Sequence, residues 1–420
     1  MPADFQHATL DNGLTIIGEV NPEAHSAGIG FFVKTGARDE QTQLMGVSHF
    51  LEHMMFKGYD GVGPDELNRA FDDIGARNNA YTSTELTCFY AHALPERMDR
   101  ATELVSRMLR PALRSEDFDT EKGVILEEIA MYKDSPFWVL YERASEEHFR
   151  GGPLGHRVLG TTETITDMSR DAMQAYFDQR YSADNTVVAC AGKVDFDRVV
   201  EQLGDLCAGW QATGPGREAP PEEVGAGELT LRDKRINRAY MLGLAPAPAM
   251  ADDRRYAAML LSRILGGPDN SRLHWALIEP GIAEEASCDY APHDGYGEFF
   301  LYASGEPDRA AEIWARVMEE VDQIGRHIEE KDLARLRALA ATALTLHSEN
   351  PHDQMQRIGV QWTLLGRYTK LEDELERIRA VTVDDVRAVA ADFPVRPLTE
   401  GRLLPMEAEA GPGPTPPGAA

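Results

Sequence analysis

A segment rich in Gly, Pro, Ala and Glu divides this chain into two long parts. It begins after Trp210 and ends at Gly227 as "QATGPGREAPPEEVGAG", and it lacks the periodic apolar residues of the sequence on either side. Such a composition is typical of a linker. The chain has 420 residues, which is too many for one ordinary core when domains average roughly 100 to 200 residues. We predict two main domains, 1–210 and 228–405, joined by the linker 211–227.

Strand and helix patterns follow one another in a similar order on both sides of the linker. The first part opens with a hairpin turn at Asn12-Gly13, and helical patterns and further strands follow. Strand, helix, strands and helices come in much the same order after the linker. We predict the α+β class, with two similar domains that each have a mainly antiparallel sheet and helices packed on one face. The low-complexity end, 406–420, is predicted to be disordered.

The charge of the chain excludes several kinds of partner. It has 42 basic and 70 acidic residues and a net charge of −28, so its surface repels nucleic acid phosphates and anionic lipids. It contains no run of 18 apolar residues, and its first residues lack the basic and apolar stretches of a secretion signal. We predict no nucleic acid partner, no membrane partner and a cytoplasmic location.

Three ionisable side chains interrupt an apolar run, "GVSHFLEHMMFKG". On a helix, His49 and His53 lie one above the other on one face, and Glu52 lies close to that face. Two histidines in this register are typical ligands of zinc, and a neighbouring carboxylate can take a proton from a water on the metal. The alternative is that each histidine is an ordinary core residue with a satisfied hydrogen bond. The presence of a third ligand for the same ion would favour a zinc site over ordinary core histidines.

The spacing H-x-x-E-H is the inverted zincin motif, and around it the chain resembles the pitrilysin-type metallopeptidases. This family includes insulin-degrading enzyme, the mitochondrial processing peptidase and short-chain bacterial members, and the resemblance runs from about Phe5 to Leu404. It implies one zinc ion per chain, peptide substrates, and Glu52 as the general base. It also implies that the chain forms half of a clam-shell chamber, closed by a second copy or by a related subunit.

The same resemblance implies a third zinc ligand in "EKGVILEEIAMYKDSP", where two glutamates compete. Glu128 shares a helix face with Glu121 and follows Val124 by four residues, so we expect it on the inward stripe with Val124 and Ile125. Glu127 is turned about 100° away. We predict Glu128 as the ligand and Glu121 as a residue that orients a histidine or the zinc-bound water. The alternative is that both are solvated helix carboxylates.

The segment "RNNAYTSTELTCFYAHAL" resembles the edge strand that pairs with the substrate backbone in this family. A peptide that adds to a sheet as an extra strand gains main-chain hydrogen bonds with little side-chain selectivity. The resemblance implies that Asn79 and Ala80 lie beside the scissile bond. The alternative is an ordinary strand near a sheet edge.

The second part departs from the family pattern. Members that are complete in one chain carry an Arg and, seven residues later, a Tyr that approach the substrate carbonyl; here Leu277 and Glu284 occupy those positions. Neither side chain can donate a hydrogen bond to an oxyanion, and loss of one such donor can cost roughly 10² to 10³ in rate.

Three interpretations of this departure stay open. Arg272, Tyr290 or Tyr296 replaces the missing pair, or a partner subunit supplies it in a homodimer or heterodimer. In the third, the chain is a non-catalytic structural subunit, as are family members in respiratory complexes. The H-x-x-E-H motif favours the peptidase, whereas the missing pair favours the structural role.

Overall fold

The first part of the chain builds a six-stranded sheet with the Asn12-Gly13 hairpin at one edge. The computed structural model describes residues 4–220, 224–326 and 328–406. The strand order is β1-β2-β6-β3-β5-β4, in which β2 and β6 are parallel and the other neighbours antiparallel. The strands are β1 (Asp4–Thr9), β2 (Thr15–Val20), β3 (Ala27–Val33), β4 (Arg77–Thr82), β5 (Thr87–Ala93) and β6 (Thr186–Gly192).

The second part builds a five-stranded sheet with a closely related plan. Its strand order is β7-β11-β8-β10-β9, and only β7 and β11 are parallel. The predicted α+β class with two mainly antiparallel sheets is therefore confirmed. The strands are β7 (Gly227–Asp233), β8 (Ala239–Ala247), β9 (Glu285–Pro292), β10 (Gly297–Gly305) and β11 (Thr399–Pro405).

Helices connect these strands in both parts. None of the helices in the described residues is both long and apolar enough to cross a bilayer. In the first part they are α1 (Val47–Met55), α2 (Pro64–Asp73), α3 (Met98–Met108), α4 (Ser115–Tyr132), α5 (Pro136–His148), α6 (Thr162–Asp167), α7 (Arg170–Arg180) and α8 (Phe196–Leu206). In the second part they are α9 (Arg255–Gly266), α10 (Ala310–Gln323), α11 (Glu330–Ser348), α12 (Pro351–Leu365), α13 (Leu371–Ala380) and α14 (Val383–Asp392).

Each face of the first sheet has a different helical cover. Because side chains alternate along a strand, Phe31 of β3 faces the helices of its own part whereas Phe32 faces α12 of the other part. Helix α12 approaches closely at Gly359, where an added Cβ would lie 2.1 Å from the Phe32 ring. A glycine at this position therefore lets α12 lie directly against the sheet.

The second sheet receives a helix from the first part in return. Leu140 and Ala144 of α5 pack against Leu242 and Leu244 of β8, while the alternate residues of β8 face the core of the second part. Both sheets therefore have helices on both faces, and one helix on each comes from the other part. The sequence analysis did not foresee this exchange.

The segment predicted as a linker is held in place where it is described. Residues 211–220 and 224–226 have no regular secondary structure, and β7 begins at Gly227. The side chain of Arg217 is only 8% exposed, and it binds both carboxylate oxygens of Asp39 at 2.9 and 2.7 Å. The domain boundaries themselves stay a prediction, and the tail predicted over 406–420 lies, beyond Met406, outside the described residues.

Candidate metal centre

Helix α1 begins at a position that only glycine fits. Gly46 has a φ of +94°, and an added Cβ would lie 2.7 Å from the carbonyl oxygen of Leu159. The buried carboxylate of Glu40 accepts hydrogen bonds from the backbone N–H of Gly46 at 2.7 Å and of Ser48 at 2.8 Å. Glu40 thus satisfies the free N–H groups at this helix end. The sequence analysis missed Glu40, and no local pattern marks it.

The structure brings His49, His53 and Glu128 together at one point between α1 and α4. Oε2 of Glu128 lies 3.8 Å from Nε2 of His49 and 3.7 Å from Nε2 of His53. One potential ligand atom from each residue lies within 4.8 Å of the other two. Ligands at about 2.1 Å from a tetrahedral zinc ion are about 3.4 Å apart. The three side chains therefore fit a zinc ion with little adjustment.

Neighbouring groups orient His53, and burial keeps His49 neutral. Nδ1 of His53 donates to Oε1 of Glu121 at 2.8 Å, which leaves the lone pair of Nε2 facing Glu128. Oε2 of Glu121 also forms an ion pair with Lys57 at 2.5 Å. Burial, reinforced by the adjacent His53, lowers the pKa of His49 to about 3. A neutral imidazole is the form that binds a metal.

Glu52 lies beside this cluster and is held by a residue that the sequence analysis missed. Its Oε2 accepts a hydrogen bond from the Thr82 hydroxyl at 2.6 Å. Burial raises the pKa of Glu52 although the bond from Thr82 opposes this shift. Thr82 follows Ala80 by two residues on β4, so strand alternation places both on one face. The two-residue alternation along a strand was the signal from which a role for Thr82 could have been predicted.

The reasoning that favoured Glu128 over Glu127 contained one error. Glu127 is exposed and Glu128 faces the histidines, but Val124, expected on the same inward stripe, is 43% exposed. The face of α4 that carries Glu128 therefore borders the opening of the site rather than the core. Ile125 is fully buried, as expected.

Asn79 and Ala80 lie on β4, which is one of the two edge strands of the first sheet. The inner edge of β4 pairs with β5, where Asn79 is opposite Tyr90 and Ala80 opposite Phe89. The other edge has no strand neighbour in the described residues. This edge belongs to the strand that also presents Thr82 to Glu52.

Leu277 and Glu284, at the positions of the missing Arg and Tyr, both make contacts within the second part of the chain. Leu277 is fully buried in the second core, and Glu284 accepts a hydrogen bond from Arg238 at 2.6 Å. The three candidate replacements all have partners other than His49, His53 and Glu128. Arg272 pairs with Glu320 at 3.1 Å, the Tyr290 hydroxyl donates to the Pro248 carbonyl at 2.6 Å, and the Tyr296 hydroxyl lies 2.7 Å from Nε2 of His148.

The fold and the site together define a protein of the inverted zincin class. Comparison with known families agrees: residues 15–162 match the insulinase family (peptidase family M16) and residues 167–339 match the peptidase M16 inactive domain. An uncharacterized zinc protease of Streptomyces coelicolor is 32% identical over 400 residues, covering 92% of this chain and 86% of that protein. The chain therefore belongs to the insulinase family, peptidase family M16.

Solved structures share the fold at low sequence identity. A protease from Helicobacter pylori superposes with a TM-score of 0.89 at 19% identity, over 96% of this chain and all of that one. A chain in the structure of complex III2 from Candida albicans superposes with a TM-score of 0.79 at 19% identity, over 95% of both chains. The fold alone thus occurs both in a protease and in a chain of complex III2.

Proposed function

We propose that this protein is a zinc-dependent endopeptidase with one zinc ion per chain. The observation that carries the proposal is the convergence of His49, His53 and Glu128 on one point, with Glu121 bound to the far side of the His53 ring. The carboxylates of Glu52, Glu121 and Glu128 gather there with Lys57 as a basic partner. A divalent cation would balance this excess of negative charge.

Glu52 is the general base in this proposal. Zinc in the site would polarise the scissile carbonyl and acidify the attacking water. Glu52 takes the proton from that water and passes it to the leaving amine. Its burial suits this role, because a raised pKa brings a carboxylate closer to the pH at which it works. The Thr82 hydroxyl fixes one oxygen of the carboxylate.

The substrates are short or unfolded peptides that bind in an extended form. The free edge of β4 supports this, since a peptide can pair there along Asn79 and Ala80 as an additional strand. Main-chain pairing tolerates varied side chains. The chamber that excludes folded proteins is closed by a second half, either another copy of this chain or a related subunit that carries Arg and Tyr. We expect the enzyme to work in the cytoplasm.

A non-catalytic structural role is the second candidate. Leu277 and Glu284 support it, because neither can donate to a developing oxyanion, and so does the similarity of fold to a chain of complex III2. A structural subunit has no need of a metal, whereas the peptidase does. Zinc content therefore distinguishes the two candidates.

Elemental analysis of the purified protein, combined with cleavage of a quenched fluorescent peptide, tests the proposal. We expect about one zinc per chain and cleavage that a chelator abolishes and zinc restores. Glu52→Gln should keep the zinc and lose cleavage, while Glu127→Gln, on the exposed side of the same helix as Glu128, should keep both. Absence of zinc would favour the structural role. Zinc without cleavage would point to a required Arg/Tyr-bearing subunit, and full activity of Glu52→Gln would refute its assigned role.

A further inference from the structure

We propose that Thr82 is a positioning residue for Glu52, and that a buried arginine network between the two parts of the chain holds Thr82 in place. This inference rests on the proposed role of Glu52. It assigns a catalytic purpose to residues far from the metal ligands in sequence, including one in the segment 211–220.

The contact between Thr82 and Glu52 is direct. The hydroxyl donates to Oε2 at 2.6 Å, and among the described residues Thr82 is the one that gives Glu52 a side-chain hydrogen bond. A glutamate side chain has three rotatable bonds, and this contact restricts the orientations that its carboxylate can adopt. A catalytic group displaced by about 1 Å can lose about 10² in rate. The position of Thr82 therefore sets the orientation of the base.

The turn that follows Thr82 is immobilised against the segment before α1. The backbone N–H of Ala37 donates to the Ser83 carbonyl at 3.2 Å, and that of Arg38 donates to the Thr84 carbonyl at 2.9 Å. Contact is so close that a Cβ on Gly36 would lie 2.4 Å from the Ser83 oxygen. Residues 83–86 thus have little freedom to move.

The Glu85 side chain ties this turn to the second part of the chain. Its carboxylate accepts from Arg38 at 2.5 Å, from Nδ1 of His293 at 3.3 Å and from the backbone N–H of Asp294 at 3.0 Å. Arg217 donates to the Glu85 backbone carbonyl while it also holds Asp39. The β9–β10 loop and the segment after α8 therefore clamp the turn from two sides.

Stability is one effect of this network, and fixed geometry is another. The side chains of Arg38, Glu85 and Arg217 are 3%, 6% and 8% exposed, so their desolvation offsets part of the attraction between the charges. Apolar residues of similar size would pack the region at least as well. What the ion pairs add is fixed geometry, since each charged hydrogen bond has a defined length and direction.

Substitutions of Thr82 test the first step. Thr82→Val has the same shape without the donor, and we expect its kcat to fall about 10- to 100-fold, with KM within about twofold of wild type and zinc content unchanged. Thr82→Ser keeps the hydroxyl and should retain most of the activity. A kcat within about twofold of wild type in the valine variant would overturn the inference.

Substitution of Arg217 tests the second step. We expect Arg217→Met to lower kcat in the wild-type background but to add little in the Thr82→Val background, because both act through one contact. The matched control is Arg235→Met, which removes a 52% exposed bridge between Asp134 and Asp233 of the two parts and should leave kcat unchanged. A lower melting temperature in Arg217→Met with unchanged kcat would show that the network only stabilises the fold, and would overturn this step.

The wild type and Glu52→Gln separate this inference from the function on which it rests. If the wild type cleaves and Glu52→Gln does not, the peptidase stands, and an active Thr82→Val then refutes the positioning role alone. A wild type that holds zinc without cleaving peptide would point to a required Arg/Tyr-bearing subunit. The Thr82 variants are then compared in the presence of that subunit, where a valine variant as active as wild type overturns the positioning role.

Discussion

The ring of His53 lies between two glutamates. Its Nδ1 donates to Glu121 at 2.8 Å, while its Nε2 lies 3.7 Å from Glu128 on the opposite side. The first contact sets the tautomer and the plane of the ring, and the second marks where a shared metal would lie. The two glutamates are seven residues apart on α4, so one helix supplies both.

Glu121→Gln should weaken zinc binding about 10-fold without abolishing it. Glutamine can still accept from Nδ1 of His53, but it cannot form the ion pair with Lys57 or raise the basicity of the ring as a carboxylate does, and loss of such support typically costs 10- to 100-fold in affinity. Competition with a zinc-chelating dye measures the effect. Glu116→Gln, exposed on the first turn of the same helix, is the control. Equal affinity in both variants would contradict the assignment.

Glu128→Gln should lose zinc during purification, whereas Glu127→Gln should keep about one ion per chain. The two residues are adjacent, but only Glu128 faces the histidines, and an amide is a much poorer zinc ligand than a carboxylate. Elemental analysis of the dialysed proteins provides the comparison. Loss of zinc from the Glu127 variant instead would reverse the choice of ligand.

The contribution of Glu85 to stability should be greatest near pH 5 to 6. Burial alone raises the pKa of Glu85, but the hydrogen bonds and charges of His293 and Arg38 outweigh it and lower the pKa to about 2. The stabilisation is present above the unfolded pKa of about 4.3 and is lost as the pH falls toward 2. Burial likewise lowers the pKa of His293, but Glu85 outweighs it and raises the pKa. The stabilisation that His293 contributes is present below about pH 6.5 and is lost as the pH rises through the pKa of His293 in the folded protein.

Urea unfolding of wild type and Glu85→Gln across this pH range measures the difference in free energy of unfolding. We expect a maximum with a decline on both sides. The same series with His293→Gln should lack the decline on the alkaline side. A difference that does not vary with pH would show that the carboxylate acts only through its shape.

Alanine should have opposite effects at two helical glycines. Gly359→Ala places a Cβ against the Phe32 ring, and we expect a loss of about 1 to 3 kcal/mol from overpacking. Gly123→Ala in α4 meets no atom within 4 Å and should gain up to about 1 kcal/mol from helix propensity. Urea unfolding of both variants measures the two effects. A stabilised Gly359 variant would mean that α12 can move away from the sheet.

The local parts of the site were predictable from the sequence, and its distant supports were not. The period of 3.6 residues placed His49 and His53 on one face, because that choice depends on one helix alone, whereas the family resemblance indicated the segment that contains Glu128. The prediction that Val124 faces inward was wrong because an apolar residue beside an open site need not face the core. The buried contact of Arg217 was not predictable, because composition reports local propensity and its partner Asp39 is 178 residues away.

The same limit applies to the fold. Strand and helix patterns predicted two sheets with helices, but nothing local indicates that α5 and α12 leave their own parts. The contact of Gly359 with Phe32 joins residues more than 300 positions apart. The sequence sign of this contact is a glycine in the interior of a helix. Taken alone, such a glycine indicates only a slightly less stable helix.

The exchanged helices give the two parts the relationship of a domain-swapped dimer whose subunits share one polypeptide. Neither sheet can bury both faces with its own helices, so a fragment that ends between α8 and β7 would expose the surface around Phe32, and its complement would expose the surface around Leu242. The helix that covers each exposed surface belongs to the other fragment, so the two fragments should bind each other. Cleavage of the chain between the two parts should therefore leave a stable complex, whereas either piece made alone should aggregate or remain unfolded.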